Sequence, residues 1–233
     1  MRGFLGNKSF KLSLLNFFMI SFKEVSKDFG NKKILNKFSI NINKGEVVGL
    51  IGPSGAGKSV FIKMLIGFFN PSKGIIKRDE KTKMGFSMQN NSLYDYLTVK
   101  QNLWYFSKIY GVDRKTSKKR IKTLINNLGL KDYEKKIVKD ISGGTKKRVD
   151  IACSLINNPD VIVLDEPFAG LDPSLIENLL NFLKELNKKG KTIVVSSHRV
   201  REILSISSQI FLVNKKNIRN TTKSYVKNLY KKW

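Results

Sequence analysis

Eight consecutive residues of the chain, Gly52 to Ser59, have the composition and spacing of a phosphate-binding loop. Their sequence GPSGAGKS fits the pattern G-x-x-x-x-G-K-[ST] and stands between an apolar, strand-like run and a helix start. Glycines allow such a loop to wrap around a phosphate, so that backbone N–H groups point inward at its oxygens. Lys58 is then expected to bridge the β- and γ-phosphates of a nucleotide, and the Ser59 hydroxyl to ligate Mg²⁺.

Two adjacent carboxylates, Asp165 and Glu166, follow a second apolar run at residues 161–164. The run predicts a strand that is buried on both faces, so both carboxylates stand at its carboxyl end. Asp165 is expected to hold Mg²⁺, directly or through water, and Glu166 to orient or deprotonate the attacking water. A strand that ends in two acids is a weak signal alone, but together with the phosphate loop it predicts a nucleoside triphosphatase.

The segments around these motifs alternate between strands and helices. Strands are expected at 20–25, 34–42, 46–51, 75–77, 84–88, 161–164, 192–196 and 210–213, and helices at 58–68, 174–186 and 198–206. The first two strands favour an antiparallel piece, and the later alternation favours a parallel sheet flanked by helices. A helical stretch from residue 99 to about 130 interrupts this order and predicts an inserted subdomain.

Composition limits the possible partners of the chain. The formal charge of +26 comes from 44 Lys+Arg against 18 Asp+Glu and first suggests nucleic acid or an anionic membrane surface. Lysine greatly outnumbers arginine, however, and residues with A/T-rich codons are abundant throughout, so codon bias accounts for much of the excess. A diffuse excess of lysine is typical of a solvated surface. We therefore do not expect nucleic acid as a partner. The one cysteine, Cys153, permits no internal disulfide and is expected to be a small buried residue.

The two ends of the chain differ from the part between them. Residues 1–19 hold an apolar stretch too short to cross a bilayer, so we expect a disordered extension or a misassigned start, with Met19 as the alternative first residue. Residues 214–233 carry seven basic and no acidic residues. They predict an amphipathic helix whose apolar face suits an anionic bilayer surface, and a frayed, solvated terminus is the alternative. The residues of this face are Val226, Leu229, Tyr230 and Trp233.

A third motif, ISGGTKKR at residues 141–148, resembles the LSGGQ-x-x-R signature of the ABC-type ATPases, and the resemblance extends over residues 20–213. It implies an α/β fold: a P-loop NTPase core with a parallel sheet, an antiparallel β subdomain, and an inserted α-helical subdomain at about 90–141. It also implies that the signature binds the γ-phosphate of ATP held by a second ATPase subunit. The signature residues concerned are Ser142, Gly143, Gly144 and Thr145.

Further landmarks of the family stand in the expected order. Phe29 lies where an aromatic residue stacks on adenine, with core packing as the alternative, and Gln89 lies where a glutamine senses Mg²⁺ and the membrane partner. Asp172 ends the segment AGLD, which matches the D-loop. The resemblance implies three catalytic residues, Lys58, Glu166 and His198, and three metal-binding residues, Ser59, Gln89 and Asp165. The nucleotide contacts that it implies in the phosphate loop are Gly52, Pro53, Ser54, Gly55, Ala56, Gly57, Lys58, Ser59 and Val60.

Three positions depart from the family pattern. Thr145 replaces the usual glutamine of the signature, which shortens a polar side chain near the ATP site. Val60 stands where a second hydroxyl often follows Ser59, and Arg199 stands where an acidic residue is common. The predicted catalytic residues and Asp165 are all retained, so ATP hydrolysis with Mg²⁺ is expected.

Three kinds of complex could use such an ATPase. A membrane transporter with separate permease chains is favoured by the single ATPase domain, and residues 93–111 resemble export-type members, although residues 104–106 (Trp-Tyr-Phe) are expected mainly in the core. A non-transport membrane complex is an alternative. A nucleic-acid-associated ATPase is the third, but long coiled coils, zinc modules and a second ATPase domain are missing from the sequence. We expect a peripheral position on the cytoplasmic face of the cell membrane.

Overall fold

The computed structural model describes residues 18–230. The strands in this part of the chain are β1 (Phe18–Phe29), β2 (Lys32–Asn43), β3 (Val47–Ile51), β4 (Lys73–Arg78), β5 (Met84–Ser87), β6 (Val161–Asp165), β7 (Thr192–Ser196), β8 (Gln209–Asn214) and β9 (Asn217–Thr221). The helices are α1 (Lys58–Leu65), α2 (Val99–Ile109), α3 (Arg114–Asn127), α4 (Gly143–Leu155), α5 (Pro173–Lys188), α6 (Val200–Ile206) and α7 (Lys223–Tyr230).

The larger sheet has six strands in the order β5-β6-β7-β3-β8-β9, and all neighbours are parallel except the pair β8–β9. Every residue of β3, β6 and β7 is buried, which explains why these strands have continuous apolar sequences. Parallel strands bring their carboxyl ends to one edge of the sheet. The phosphate loop follows β3, the two adjacent carboxylates lie at the end of β6, and His198 follows β7 at this edge.

The smaller sheet is antiparallel, with the order β2-β1-β4. Its inner face packs against α1 and the larger sheet through aromatic rings. Phe22 lies 4.9 Å from Phe61 and 5.7 Å from Phe38, measured between ring centroids. The predicted α/β class, with a parallel core sheet and an antiparallel piece, is confirmed.

The inserted helical segment consists of two helices, α2 and α3, rather than one stretch. A capping box at Thr98 begins α2, and the Asp113 carboxylate caps α3 by accepting a hydrogen bond from the Thr116 backbone. Their buried apolar residues join the core beneath the larger sheet. Of the aromatic residues 104–106, which were expected mainly in the core, two are half-buried and Tyr105 is 41% exposed.

The C-terminal segment contains a helix where one was predicted, but a strand precedes this helix and two of its apolar residues contact the protein, unlike either alternative for residues 214–233. The sheet continues past residue 213, because β9 pairs with β8 at the edge of the larger sheet. Helix α7 then returns to the domain, where Val226 is fully buried and Tyr230 packs against the same core. Two members of the predicted membrane-facing side therefore contact the protein itself. Trp233 lies outside the described residues.

The N-terminal expectation overlaps the first strand. Met19 belongs to β1 and packs against the core between the two sheets. Residues 1–17 lie outside the described part of the chain, so the prediction for them stays a prediction. Within residues 18–230, no helix has both the length and the apolar composition needed to cross a bilayer.

Candidate functional site

The phosphate loop connects β3 to α1 in the conformation that its glycines permit. Gly55 and Gly57 have φ values of 74° and 108°, which residues with a Cβ rarely adopt. Gly57 is the N-cap of α1 and supplies no side-chain cap, so the first N–H groups of the helix are left to bind a ligand. The Lys58 ammonium is buried and donates to the carbonyl oxygens of Gly52 and Pro53, at 2.8 and 3.1 Å.

The carboxylate of Asp165 is buried at the end of β6, where one of its oxygens accepts a hydrogen bond from the Ser196 hydroxyl. The second oxygen, Oδ2, is also buried, and no donor within the described residues reaches it. A buried, unpaired carboxylate oxygen is costly unless a cation or a donor binds it. Ser59, Gln89 and Asp165, the three predicted metal-binding residues, line one cavity of about 380 Å³. This oxygen-rich set fits Mg²⁺, which binds few protein ligands and retains waters.

Glu166 and His198 are in direct contact. Oε2 of Glu166 lies 3.0 Å from Nδ1 of His198. The Glu166 backbone has a φ of 50° and donates its N–H to the carbonyl of Ser196 at 3.1 Å. A left-handed conformation at a residue other than glycine is strained, and such residues concentrate at functional sites. In this conformation the Glu166 side chain reaches His198, in the segment that follows β7.

The signature motif begins helix α4. Ser142 is the N-cap, and its Oγ accepts a hydrogen bond from the Thr145 backbone N–H at 3.3 Å. Thr145 is only 2% exposed, and its hydroxyl lies 3.0 Å from that of Ser142 and accepts from Arg148 at 3.1 Å. The substitution of threonine for the usual glutamine therefore places a short hydroxyl inside the domain rather than on its surface. Arg148 in turn donates to the carbonyls of residues 128 and 129 at the end of α3.

The D-loop lies directly against the signature. A Cβ on Gly144 would come within 2.5 Å of the carbonyl oxygen of Gly170, so only glycine permits this approach. Asp172 is the N-cap of α5 and accepts a hydrogen bond from the Leu175 backbone N–H at 2.9 Å. The structure thus gives the D-loop aspartate a local capping contact.

One cavity of about 420 Å³ is lined by seven of the predicted residues. Lys58, Glu166 and His198 line it together, so the structure brings the three predicted catalytic side chains to one place. Gln89 and the two signature glycines line it as well. Phe29 does not line this cavity; it is 43% exposed at the end of β1, where its ring packs edge-on against Phe69. The alternative of a core position for Phe29 does not fit this exposure. Val60 packs toward the core between the two sheets.

Lys147 is a site residue that the sequence did not indicate. It lines the same cavity, is only 7% exposed, and donates to the carbonyls of Met88 and Asp165. Burial lowers its pKa, and the nearby carboxylates of Asp150, Asp165 and Glu166 oppose that shift. A lysine within the run KKR is normally solvated. Only the burial of α4 on nearly all sides, which depends on tertiary packing, shows otherwise.

Comparison with known proteins agrees with this geometry. Residues 35–169 match the family described as ABC transporter. The chain is 35% identical over 211 residues to the ABC transporter ATP-binding protein NatA of Bacillus subtilis, covering 84% of the chain and 86% of NatA. It is also 35% identical over 210 residues to the cell division ATP-binding protein FtsE of B. subtilis, covering 84% of the chain and 92% of FtsE.

The fold has close counterparts among solved structures. One is cbiO1 of Clostridium perfringens, described as part of the ABC transporter complex cbiONQ, which superposes with a TM-score of 0.80 at 25% identity. The superposition covers 93% of this chain and 94% of cbiO1. The family match, the relatives and the fold agree, and the chain belongs to the ABC transporter family as an ATP-binding subunit that hydrolyses ATP with Mg²⁺.

Proposed function

We propose that the chain energises a membrane exporter by closing with a second ATPase subunit around ATP. The observation that carries the proposal is the cavity in which Lys58, Glu166 and His198 meet. This arrangement combines a cation for phosphate with a carboxylate for water within one site. ATP binding would close the pair of subunits and hydrolysis would reopen it. This movement would be passed to the attached permease chains.

In this mechanism each catalytic side chain has a separate task. Lys58 binds the β- and γ-phosphates and offsets their charge as the bond to the leaving group lengthens. Glu166 accepts a proton from, or orients, the attacking water, and His198 contacts the γ-phosphate while holding Glu166. Ser59, Gln89 and Asp165 would hold Mg²⁺, which would supply positive charge to offset that of the bound phosphates. Phe29 would stack on adenine from the exposed end of β1.

The signature is proposed to act on the ATP of the second subunit. Ser142 and Gly143 are exposed at the start of α4, and a Cβ on Gly143 would meet no atom within 4 Å. An exposed helix N-terminus without obstructing side chains is suited to a phosphate that approaches from another molecule. The Gly143–Gly144 pair thus supports a dimer in which each ATP lies between two chains.

The permease is proposed to dock beside the helical subdomain. Tyr96 is 80% exposed, and the exposed rings of Tyr94 and Tyr105 pack edge-to-face with their hydroxyls 3.0 Å apart. Exposed aromatic side chains of this kind are typical anchors for a partner helix. The resemblance of residues 93–111 to export-type members supports the export direction, and contact with a permease would place the chain on the cytoplasmic face of the membrane.

A non-transport membrane complex is the second candidate, because the chain is as similar in sequence to FtsE as to NatA. Identification of the co-purifying membrane protein separates the two. A permease whose reconstitution with this chain moves a solute away from the ATP side supports the exporter. A membrane partner that never moves solute, with ATPase activity intact, would favour the alternative.

Glu166→Gln tests the ATPase cycle itself. We expect this variant to lose phosphate release and to accumulate as an ATP-bound dimer in size-exclusion chromatography with ATP and Mg²⁺, whereas the wild-type chain returns to monomer after hydrolysis. Lys58→Ala is the matched control, because it should lose both phosphate release and the dimer. Undiminished phosphate release from Glu166→Gln would contradict the proposed mechanism.

A further inference from the structure

Two buried charged residues on helix α4, Lys147 and Asp150, extend toward the segment that contains Gln89. They lie one turn apart, so their side chains leave the same side of the helix. Lys147 Nζ donates to the carbonyl oxygen of Met88 at 2.6 Å. Asp150 Oδ2 accepts from the Ser87 hydroxyl at 2.5 Å, and its Oδ1 accepts from the backbone N–H of Ser92 at 3.2 Å. Residues on both sides of Gln89 are therefore hydrogen-bonded to one helix.

Lys147 also contacts the end of the neighbouring strand. Its Nζ donates to the carbonyl oxygen of Asp165 at 3.0 Å. Strands β5 and β6 are adjacent and parallel, and one ammonium group joins the carbonyls at their carboxyl ends. The backbone of the residue before Gln89 and the backbone of Asp165 therefore share one donor.

Both charges are expensive to bury. Lys147 and Asp150 are 7% and 4% exposed, and burial raises the pKa of Asp150 as it lowers that of Lys147. Their hydrogen bonds offset the free-energy cost of burial only when all of them are made. The distance between α4 and the ends of β5 and β6 is therefore tightly constrained. Removing one partner would leave buried polar groups unsatisfied and allow the segment to move.

We infer that Lys147 and Asp150 are positioning residues that fix Gln89 relative to Asp165 and couple both to the signature helix. Neither residue needs to contact ATP. Because the signature begins the same helix, a displacement of α4 at its N-terminus is transmitted by two side chains to residues 87–92 and to the end of β6. The inference rests on the proposed role of Gln89 at the metal.

Steady-state ATPase measurements on Lys147→Met, Gln89→Ala and the double variant test the inference. We expect Lys147→Met to lower kcat by about 10- to 100-fold, the range typical for groups that orient metal ligands, with a smaller change in the KM for ATP. If Lys147 acts through Gln89, the double variant is no slower than Gln89→Ala alone, since the two losses are not additive. Lys147→Arg keeps the charge and donors and should recover part of the loss.

Lys122→Met is the control, because Lys122 is exposed on α3 and the same change there should leave kcat unaltered.

Asp150→Asn provides an independent test if Lys147→Met does not fold. It should lower kcat and speed hydrogen exchange of the backbone amides of residues 87–92 while ATP binding, measured with a fluorescent ATP analogue, is retained.

Several results would overturn the inference. One is a wild-type kcat in both Lys147→Met and Asp150→Asn, and another is unchanged hydrogen exchange at residues 87–92 in Asp150→Asn. A third is a double variant in which the losses from Lys147→Met and Gln89→Ala multiply. The fourth is full ATPase activity of Gln89→Ala. Each can occur while Glu166→Gln behaves as expected, so failure of this inference is separable from failure of the proposed function.

Discussion

Oε2 of Glu166 lies 3.0 Å from Nδ1 of His198, across the gap between the ends of two adjacent parallel strands. The contact depends on the left-handed backbone of Glu166, whose φ is 50°. The side chain of His198 is 67% exposed, whereas that of Glu166 is 15% exposed, and both residues line the same cavity. A group bound in this cavity can therefore approach the carboxylate and the imidazole together.

This contact predicts coupled losses of activity. His198→Ala should lower kcat by about 10²- to 10⁴-fold, the usual range for a group engaged in proton transfer or its orientation, with little change in ATP binding. The variant Glu166→Gln/His198→Ala should be no slower than Glu166→Gln, because the two residues act as a unit. Phosphate release in single turnovers measures both effects.

Arg199→Ala is the adjacent control, since Arg199 contacts Glu202 on α6 rather than Glu166, and its kcat should stay near that of the wild type. Independent, multiplying losses from His198 and Glu166 would show that their contact has no part in catalysis.

Thr145 predicts a stability effect inside the signature. Its buried hydroxyl accepts from the Arg148 guanidinium, so Thr145→Val should reduce the free energy of unfolding by about 1.5–3 kcal/mol, the range for a hydrogen bond to a charged group. Thr145→Ser keeps the hydroxyl and should stay closer to the wild type. Urea denaturation measures the difference, and equal stability of the valine and serine variants would argue against the hydrogen bond.

Asp172 predicts that capping and catalysis can be separated. Asp172→Ala removes the cap of α5 and should cost about 0.5–2 kcal/mol of unfolding free energy, whereas Asp172→Asn retains an accepting oxygen and should cost little. If the carboxylate also acts at the interface between two ATPase subunits, the asparagine variant loses ATPase activity although its stability is kept. Wild-type activity of Asp172→Asn would confine Asp172 to its capping role.

Features that depend on local backbone requirements were predictable from sequence. The glycine spacing of residues 52–59 specifies a loop before a helix, and continuous apolar runs such as 161–164 specify strands buried on both faces. That Lys58, Glu166 and His198 share one site was implied by the resemblance to the ABC-type ATPases rather than by these local patterns, and the three side chains line one cavity.

Features that depend on what covers a surface were not predictable. Lys147 reads as part of a solvated lysine run, and only the packing of other elements around α4 buries it. The apolar positions of α7 show that one side of that helix is hydrophobic, but periodicity does not show whether a membrane or the protein's own core lies against it. The burial of the Thr145 side chain was likewise not predictable, because it depends on the contact between its hydroxyl and Arg148.

Helix α7 provides the last prediction, because Val226 is fully buried whereas Leu229, on the same short helix, is 36% exposed. Val226→Ala should lower the free energy of unfolding by about 1–3 kcal/mol, as a core truncation does, and Leu229→Ala should change it by about 0.5 kcal/mol or less. Chemical denaturation compares the two variants directly. If α7 instead serves a bilayer, Leu229→Ala and Val226→Ala would weaken binding to anionic vesicles alike and leave stability unchanged. That result would contradict the packing of Val226 against the core, whereas loss of stability in Val226→Ala alone would establish α7 as part of the ATPase domain.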